Sequence, residues 1–143
     1  MESLYRQKYQ DKKLSWLLEK AQEAFNRYIR KRDNNNPRKG FFTCISCGKV
    51  RDEKYLQAGH YMPAGSNAPV RFDEMNVHGQ CVECNTYLHG NQEAYRRGLV
   101  RKYGEEAVED LELKAKQMWK WSRPEIIAII TDYRAKVKEV NYD

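Results

Sequence analysis

Four cysteines in two close pairs carry the clearest chemistry in the sequence. Cys44 and Cys47 form one CxxC pair, Cys81 and Cys84 form another, and 33 residues separate the pairs. Each pair bends the chain so that two thiolates face one ion, and four thiolates complete a tetrahedral zinc site. Gly48 suits the tight turn after the first pair. The pattern predicts one structural zinc ion per chain, with no coordination position open for catalysis.

Two disulfides are the alternative arrangement of four cysteines. The sequence contains no run of about 18 apolar residues and no basic segment followed by an apolar one, so we expect neither a membrane span nor a secretory signal. We therefore expect an intracellular protein, whose thiols stay reduced. This environment favours metal binding over disulfides.

A second set of polar residues lies between and after the cysteine pairs. His60 occurs in the segment QAGHY, and Asn85 directly follows the last cysteine. An imidazole has an ordinary pKa of about 6.5 and can accept a proton from water near neutral pH, although an isolated histidine is more often structural. Asn85 is held in place by the zinc site, so it is either a fixed polar group of a hydrolytic site or a helix cap.

The elements that position these residues are predicted from periodicity. Apolar residues at helical spacing predict an amphipathic helix from about Leu14 to Arg32, and the segment DNNNPRKG (33–40) ends it. From Phe41 to about Cys84, short apolar stretches alternate with glycines and prolines. This composition predicts short strands and tight turns.

Helical periodicity returns after Cys84. Asn91 is predicted to cap the first of these helices, and Ser122 with Glu125 forms a capping box on the last. The pattern predicts three helices, one that ends at Gly104, one from Glu105 to about Lys120 and one over 122–140. The 143 residues are long enough for one domain with a modest core.

The charge of the chain is unevenly distributed. Its net charge is +6, and residues 1–40 carry 11 Lys/Arg against 5 Asp/Glu, whereas residues 41–143 carry 15 of each. An excess of positive charge at one end indicates a polyanionic partner, most commonly nucleic acid. The alternative is a basic helix face that is simply solvated.

Several separated motifs resemble the NinG family of lambdoid phages, also called Rap. The motifs are CISCG, QAGHY, RFDEMNVHGQCVECN, GN and YGEEAVEDLE, and the resemblance covers about 16–140. This family is placed in the zinc-bound branch of the HNH, or ββα-metal, nuclease superfamily, and it cleaves branched recombination DNA. The resemblance implies an α+β fold in one domain (1–143), with a basic N-terminal helix (1–40), a zinc-bound HNH-like ββα core (41–104) and C-terminal helices (105–143).

The resemblance also implies roles for individual residues. His60 would be the general base, Asn76 would brace the loop that carries the histidine, and Asn85 would bind a catalytic Mg²⁺ or Mn²⁺. Many HNH enzymes have an acidic metal ligand directly before the histidine, and here that position is Gly59. The second metal ligand is therefore open, and the alternatives are Glu74, Asp73, His78 or a backbone carbonyl.

Positively charged and polar residues around these motifs are predicted to contact DNA phosphates. They are Arg71, His78, Arg96, Arg97, Arg101, Lys31 and Arg32. An ion pair with Asp73 or Glu74 is the alternative for Arg71.

The function that the resemblance implies is structure-specific cleavage of Holliday junctions and D-loops. Resolution of a junction requires two symmetric nicks, so we expect a homodimer. Phage recombination proteins are further expected partners, and the expected location is the cytoplasm of a bacterial host, with a phage or prophage gene. The alternative is a zinc-containing DNA-binding module that does not cleave.

Overall fold

Short antiparallel strands between long helices make up the protein. The computed structural model describes residues 8–140, and residues 1–7 and 141–143 of the predicted domain lie outside the described residues. The elements are α1 (Leu14–Asp33), β1 (Phe41–Thr43), β2 (Val50–Asp52), β3 (Leu56–His60), β4 (Val77–Cys81), α2 (Gln92–Tyr103), α3 (Glu105–Ala115) and α4 (Arg123–Glu139). The predicted α+β class is confirmed.

The strands form two antiparallel hairpins, β1–β2 and β3–β4. In the second hairpin Gly59 pairs with His78 and His60 pairs with Val77. Paired residues project to the same side of a hairpin and successive residues to opposite sides. The knuckle face is the side of Gln57, Gly59, His78 and Gln80, and the α1 face is the side of Ala58, His60 and Val77.

Two hydrophobic clusters lie on either side of this hairpin. The first joins α1 to α4, with Phe25 and Tyr133 in edge-to-face contact at 4.7 Å between ring centroids, and it includes Val77 of β4. The second joins α2 to α3 through Leu99 and Val108. The hairpin thus packs against the first cluster through Val77, and Tyr95 of the second cluster donates to the carbonyl of Gly59.

Most predicted helix boundaries are confirmed. The first helix runs from Leu14 to Asp33, and the capping box of Ser122 and Glu125 is present at the start of α4. The predicted C-terminal end of the helix that starts at Glu105 was wrong, because α3 ends at Ala115 rather than near Lys120. The residues that follow Ala115 are mostly exposed, so they lack the buried face that would extend the helix.

The helix predicted after the last cysteine pair begins at Gln92, directly after Asn91, as expected. Residues Glu83–Tyr87, which precede this helix, form a short π-helix. Asn91 does not cap α2 with its side chain; its backbone is left-handed, with φ 45°. Among the described residues, no helix is both long and apolar enough to span a lipid bilayer.

Candidate metal centre and catalytic site

The four cysteines converge as the spacing predicts. Their sulfur atoms all lie within 4.8 Å of one another, and Cys47 Sγ lies 3.8 Å from Cys81 Sγ. A zinc–sulfur distance of about 2.3 Å gives a tetrahedral edge of about 3.8 Å, whereas a disulfide would bring two sulfurs to about 2.05 Å. The four cysteines are therefore free thiols whose geometry can hold a zinc ion.

Amide groups around the cysteines favour their charged, metal-binding form. The backbone N–H groups of Cys47 and Cys81 both donate to Cys44 Sγ, at 3.5 and 3.4 Å. Asn91 Nδ2 donates to Cys84 Sγ at 3.4 Å, which is the contact its side chain makes instead of a helix cap. Such donors stabilise a thiolate, because each places a partial positive charge on the sulfur.

His60 is the last residue of β3 and lies on the α1 face. Its Nε2 lies 3.1 Å from the carbonyl oxygen of Arg71. A carbonyl oxygen only accepts hydrogen bonds, so this contact favours the tautomer with the proton on Nε2 and the lone pair on Nδ1. Burial lowers the pKa of His60, and the Arg71 cation lowers it further, while the hydrogen bond to the Arg71 carbonyl acts in the opposite direction.

A side chain of α1 lies between His60 and Arg71. Gln22 Oε1 accepts from Arg71 Nε at 2.9 Å, and Gln22 Nε2 donates to Asn26 Oδ1 at 2.8 Å. Gln22 Nε2 also lies 3.3 Å from His60 Nε2, which is a contact between two donors when the histidine proton is on Nε2. The alternative for Arg71, an ion pair with Asp73 or Glu74, is not formed among the described residues. Asp73 pairs with Lys114 instead, and Glu74 pairs with Lys136. The Arg71 guanidinium therefore remains beside the histidine without a carboxylate partner among the described residues.

Asn76 fastens the loop that follows His60. The side chain is fully buried, and it accepts from Met62 N at 2.9 Å and donates to Met62 O and Val70 O at 3.0 and 3.1 Å. Its own carbonyl accepts from Tyr61 N at 2.8 Å. Both ends of the loop over 61–76 are thus joined through one side chain, which holds the end of β3 in place.

Asn85 lies on the other side of the hairpin from His60. Its Nδ2 donates to Gln57 Oε1 at 2.7 Å, and its Oδ1 lies 3.0 Å from the position that a Cβ on Gly59 would take. Gly59 and His60 are successive strand residues and project to opposite faces. The two residues expected to share a site therefore lie on opposite faces of the hairpin.

The carboxylates of Glu74 and Asp73, which were expected as possible second metal ligands, are each bound to other side chains. Glu74 accepts from Tyr133 Oη at 2.8 Å and from Lys136 Nζ at 3.0 Å, and Asp73 is paired with Lys114 at 2.9 Å. Within residues 8–140, the four cysteines are the one cluster of three or more His, Cys, Asp or Glu side chains that could hold a metal.

His78 is 2% exposed and lies against α2 rather than solvent. Its Nε2 lies 2.8 Å from Tyr103 Oη, and burial lowers its pKa to about 3. A buried neutral imidazole does not fit the phosphate contact predicted for it, and its ring is occupied by Tyr103 rather than by a metal. The burial follows from its place on a strand that is buried at every residue.

The predicted DNA-binding residues divide into two groups. Arg97 and Arg101 are exposed on α2 and Lys31 is half-buried. Arg96 is bound by Glu105 at 2.7 Å and by Glu112 at 3.0 Å. Arg32 donates to Asp33 and to the carbonyls of Glu74 and Val77. The last two arginines therefore connect elements of the fold, and they do not fit the predicted role as free phosphate ligands.

Comparison with known families agrees with the motifs. The family model described as "NinG: Bacteriophage Lambda NinG protein" matches residues 2–143, nearly the whole chain. The chain belongs to the NinG family.

Relatives of this NinG-family chain are phage proteins. Over 126 residues it is 37% identical to the protein ninG of Escherichia phage 933W and to that of Salmonella phage P22, and 36% identical to that of Escherichia phage lambda. The alignments cover 88% of this chain but 58–59% of those relatives. The chain thus spans less than two thirds of the length of the relatives it matches, and no solved structure matches it.

Two residues of this NinG-family site were missed in the sequence. Gln80 is fully buried on the knuckle face, and Tyr95 Oη donates to the carbonyl of Gly59 at 2.6 Å. The available signal for Gln80 was a long amide side chain directly before a zinc cysteine. Nothing in the sequence could indicate the Tyr95 contact, because it joins residues 36 positions apart.

Proposed function

We propose that this NinG-family protein is a zinc-stabilised endonuclease of the HNH type that nicks branched DNA with a divalent metal ion. The observation that carries the proposal is the placement of His60 at the end of β3, with Nε2 3.1 Å from the Arg71 carbonyl. This contact favours the tautomer with the lone pair on Nδ1, and burial lowers the pKa of the imidazole. A neutral imidazole held in this way suits a general base.

The proposed reaction is hydrolysis of a phosphodiester bond. His60 Nδ1 removes a proton from a water molecule, and the water oxygen attacks the phosphorus atom. The bond between phosphorus and the 3′-oxygen breaks, and the leaving oxygen takes a proton from solvent. A divalent ion bound beside Asn85 would stabilise the negative charge on the phosphate and the leaving oxygen. The Arg71 guanidinium, next to His60, would hold a phosphate oxygen.

The HNH assignment is supported by the order of the elements. The β3–β4 hairpin carries His60 at the end of its first strand, and its second strand leads into the last zinc cysteines and Asn85. Asn76 occupies the middle position of the motif and braces the loop after the histidine. In this proposal the zinc cluster has a structural role only, because four sulfur ligands leave no position for water.

The DNA-binding surface of this proposal is the exposed part of α2. Arg97 and Arg101 are exposed, and among the described residues neither makes an ion pair. Guanidinium groups of this kind bind phosphates, and each such contact makes affinity dependent on salt. Lys31 at the end of α1 would extend the surface.

The substrates and partners of the proposal come from the family resemblance. Holliday junctions and D-loops are the proposed substrates, and two symmetric nicks in a junction require two active sites, which favours a homodimer. We propose action in the cytoplasm of the bacterial host, alongside other phage recombination proteins.

Cleavage of a labelled four-way junction tests the proposal. The wild type and His60→Ala would be compared at equal zinc content, in Mg²⁺ and in EDTA, with a linear duplex of matched sequence as the control substrate. We expect nicking of the junction that requires Mg²⁺ and falls by about 10²-fold or more in the variant. Junction binding without cleavage in any divalent ion would contradict the proposal.

The second candidate function is a DNA-binding module that uses the same surface and does not cleave. Gly59 favours it, because this position lacks the acidic metal ligand of many HNH enzymes. Junction binding that depends on Arg97 and Arg101, without cleavage, is the outcome that this candidate predicts.

A further inference from the structure

A buried oxygen atom without a partner lies on the knuckle face. Gln80 Nε2 donates to Ser46 Oγ at 2.7 Å and to the carbonyl of Gly90 at 2.8 Å. These two bonds fix the amide so that Oε1 points toward Gly59. Among the described residues, nothing donates to this oxygen. A buried acceptor left unpaired destabilises the folded state, so its presence in a fully buried side chain requires an explanation.

The Asn85 side chain is fixed in the same way. Gln57 Oε1 accepts from Asn85 Nδ2 at 2.7 Å and from Thr86 Oγ1 at 3.1 Å. With Nδ2 held by Gln57, the Asn85 Oδ1 atom is turned toward Gly59 and lies 3.0 Å from the position of a Cβ there.

Gly59 is what brings the two oxygens together. A Cβ on Gly59 would overlap Gln80 Oε1, with Asn85 Oδ1 next to it. The two amide oxygens are therefore neighbours above the one residue of β3 that has no side chain. At this position many HNH enzymes carry an acidic ligand, and here the space at the start of such a side chain is taken by the Gln80 oxygen.

We propose that Gln80 Oε1 and Asn85 Oδ1 together bind the divalent cation of the cleavage site, with Gln80 in place of the carboxylate missing at position 59. This inference rests on the proposed endonuclease function. Amide oxygens are suitable ligands for Mg²⁺ and Mn²⁺. Because both ligands are neutral, the DNA phosphate supplies the negative charge, and the ion binds tightly only in the DNA complex.

Mn²⁺ binding measured by electron paramagnetic resonance tests the inference without relying on activity. The zinc-loaded chain of 143 residues would be titrated with Mn²⁺ in the presence of a four-way junction, with His60→Ala in every sample to prevent cleavage. Gln80→Met keeps the length of the side chain and removes the oxygen. We expect the Mn²⁺ concentration for half-saturation to rise about tenfold or more.

The variant Gln80→Glu distinguishes a metal-binding role of Gln80 from a purely structural role. The carboxylate keeps Oε1 and adds charge, but it loses both donated bonds to Ser46 and Gly90. We expect Mn²⁺ to bind this variant at least as tightly as it binds the parent. Gln117→Glu, which adds the same charge at an exposed position, should leave binding unchanged. The double variant Gly59→Asp/Gln80→Ser moves the carboxylate to position 59 and should also retain binding.

Zinc content and thermal unfolding, measured for every variant, show which proteins are folded. The inference is overturned if Gln80→Met and Gln80→Glu weaken Mn²⁺ binding equally at full zinc content, if neither changes it, or if the parent binds no Mn²⁺ with DNA. If the wild type cleaves DNA but Mn²⁺ binding does not depend on Gln80, this inference is overturned and the proposed endonuclease function stands. If Mn²⁺ binding depends on Gln80 but no cleavage occurs, the metal site stands and the proposed endonuclease function is overturned.

Discussion

The two faces of the β3–β4 hairpin are stabilised by different forces. On the α1 face, Ala58 and Val77 pack into the hydrophobic cluster between α1 and α4, and His60 lies beside Gln22. On the knuckle face, amide groups of Gln57 and Gln80 hydrogen-bond to groups next to the cysteine cluster. One face depends on the burial of apolar surface, and the other depends on polar groups held in place beside the cysteine cluster.

Because of this difference, a change that disturbs one face should leave the other face largely intact. Apolar packing is non-directional and tolerates small shifts, whereas a polar network requires every donor and acceptor in position. Loss of zinc should therefore disorder the knuckle face before the α1 face. Damage to the loop after His60 should act on the α1 face and leave zinc bound.

The largest effect is expected from removal of a zinc ligand. In Cys81→Ser we expect loss of the metal, because three thiolates no longer complete the tetrahedron, and binding of structural zinc contributes about 10–16 kcal/mol to folding. The knuckle face should exchange its amide protons rapidly while α1 and α4 stay protected. Zinc per chain by mass spectrometry and hydrogen exchange measure this. Full zinc occupancy, or equal loss of protection on both faces, would contradict it; Lys49→Ser, exposed beside the first pair, is the control.

Asn76→Ala is expected to act on the α1 face. The change leaves the half-buried N–H and C=O of Met62 without this partner, while the C=O of Val70 keeps its bond from Asp73 N, and it should lower the free energy of unfolding by about 2–5 kcal/mol. Urea unfolding at saturating zinc measures this. Asn67→Ala in the same loop removes exposed bonds only and should cost less than about 1 kcal/mol. Similar losses in both variants would show that Asn76 does not brace the loop.

Gly98→Ala is expected to act on the knuckle side. Gly98 lies on α2, and a Cβ there would overlap the backbone carbonyl of Ile45 in the first cysteine loop. We expect a loss of about 1–3 kcal/mol from overpacking, seen as a lower melting temperature at saturating zinc. Gly65→Ala is the matched control, since a Cβ at Gly65 meets nothing within 4 Å. An unchanged melting temperature for Gly98→Ala would mean that α2 can move away from the cysteine loop.

The effect that is smallest at neutral pH is a pH dependence due to His78. Burial lowers its pKa to about 3 in the folded protein, against an ordinary value of about 6.5 in the unfolded chain. Between these values the unfolded chain binds a proton that the folded protein does not. The stabilisation is complete above pH 6.5 and is lost by about 1.4 kcal/mol per pH unit as the pH falls toward 3.

The difference between wild type and His78→Gln isolates this contribution. Urea unfolding from pH 7 to pH 5, at matched zinc occupancy, should give a steeper decline for the wild type. Parallel pH profiles would show that His78 is protonated in the folded protein. The same reasoning applies to the proposed activity, where the low pKa of His60 predicts that cleavage persists at pH values somewhat below 6.5.

Local features of the fold were predictable because they depend on residues close in sequence. The CxxC spacing predicted the thiolate cluster, and Ser122 with Glu125 predicted the start of α4. The end of α3 at Ala115 was not predictable from helical periodicity, since it depends on where the buried face stops. The π-helix after Cys84 likewise follows from the position of the cysteine cluster against β4.

By itself, the amino-acid sequence determined the cysteine cluster that can hold zinc, the family and the order of the elements, because spacing, caps and motifs are properties of short segments. Only the tertiary structure decided which polar groups are already bound. It joined Glu74 to Tyr133 and His78 to Tyr103, and it left Gln80 Oε1 without a donor among the described residues. Such pairings join residues far apart along the chain, so they exist only once the helices and the hairpin have packed together.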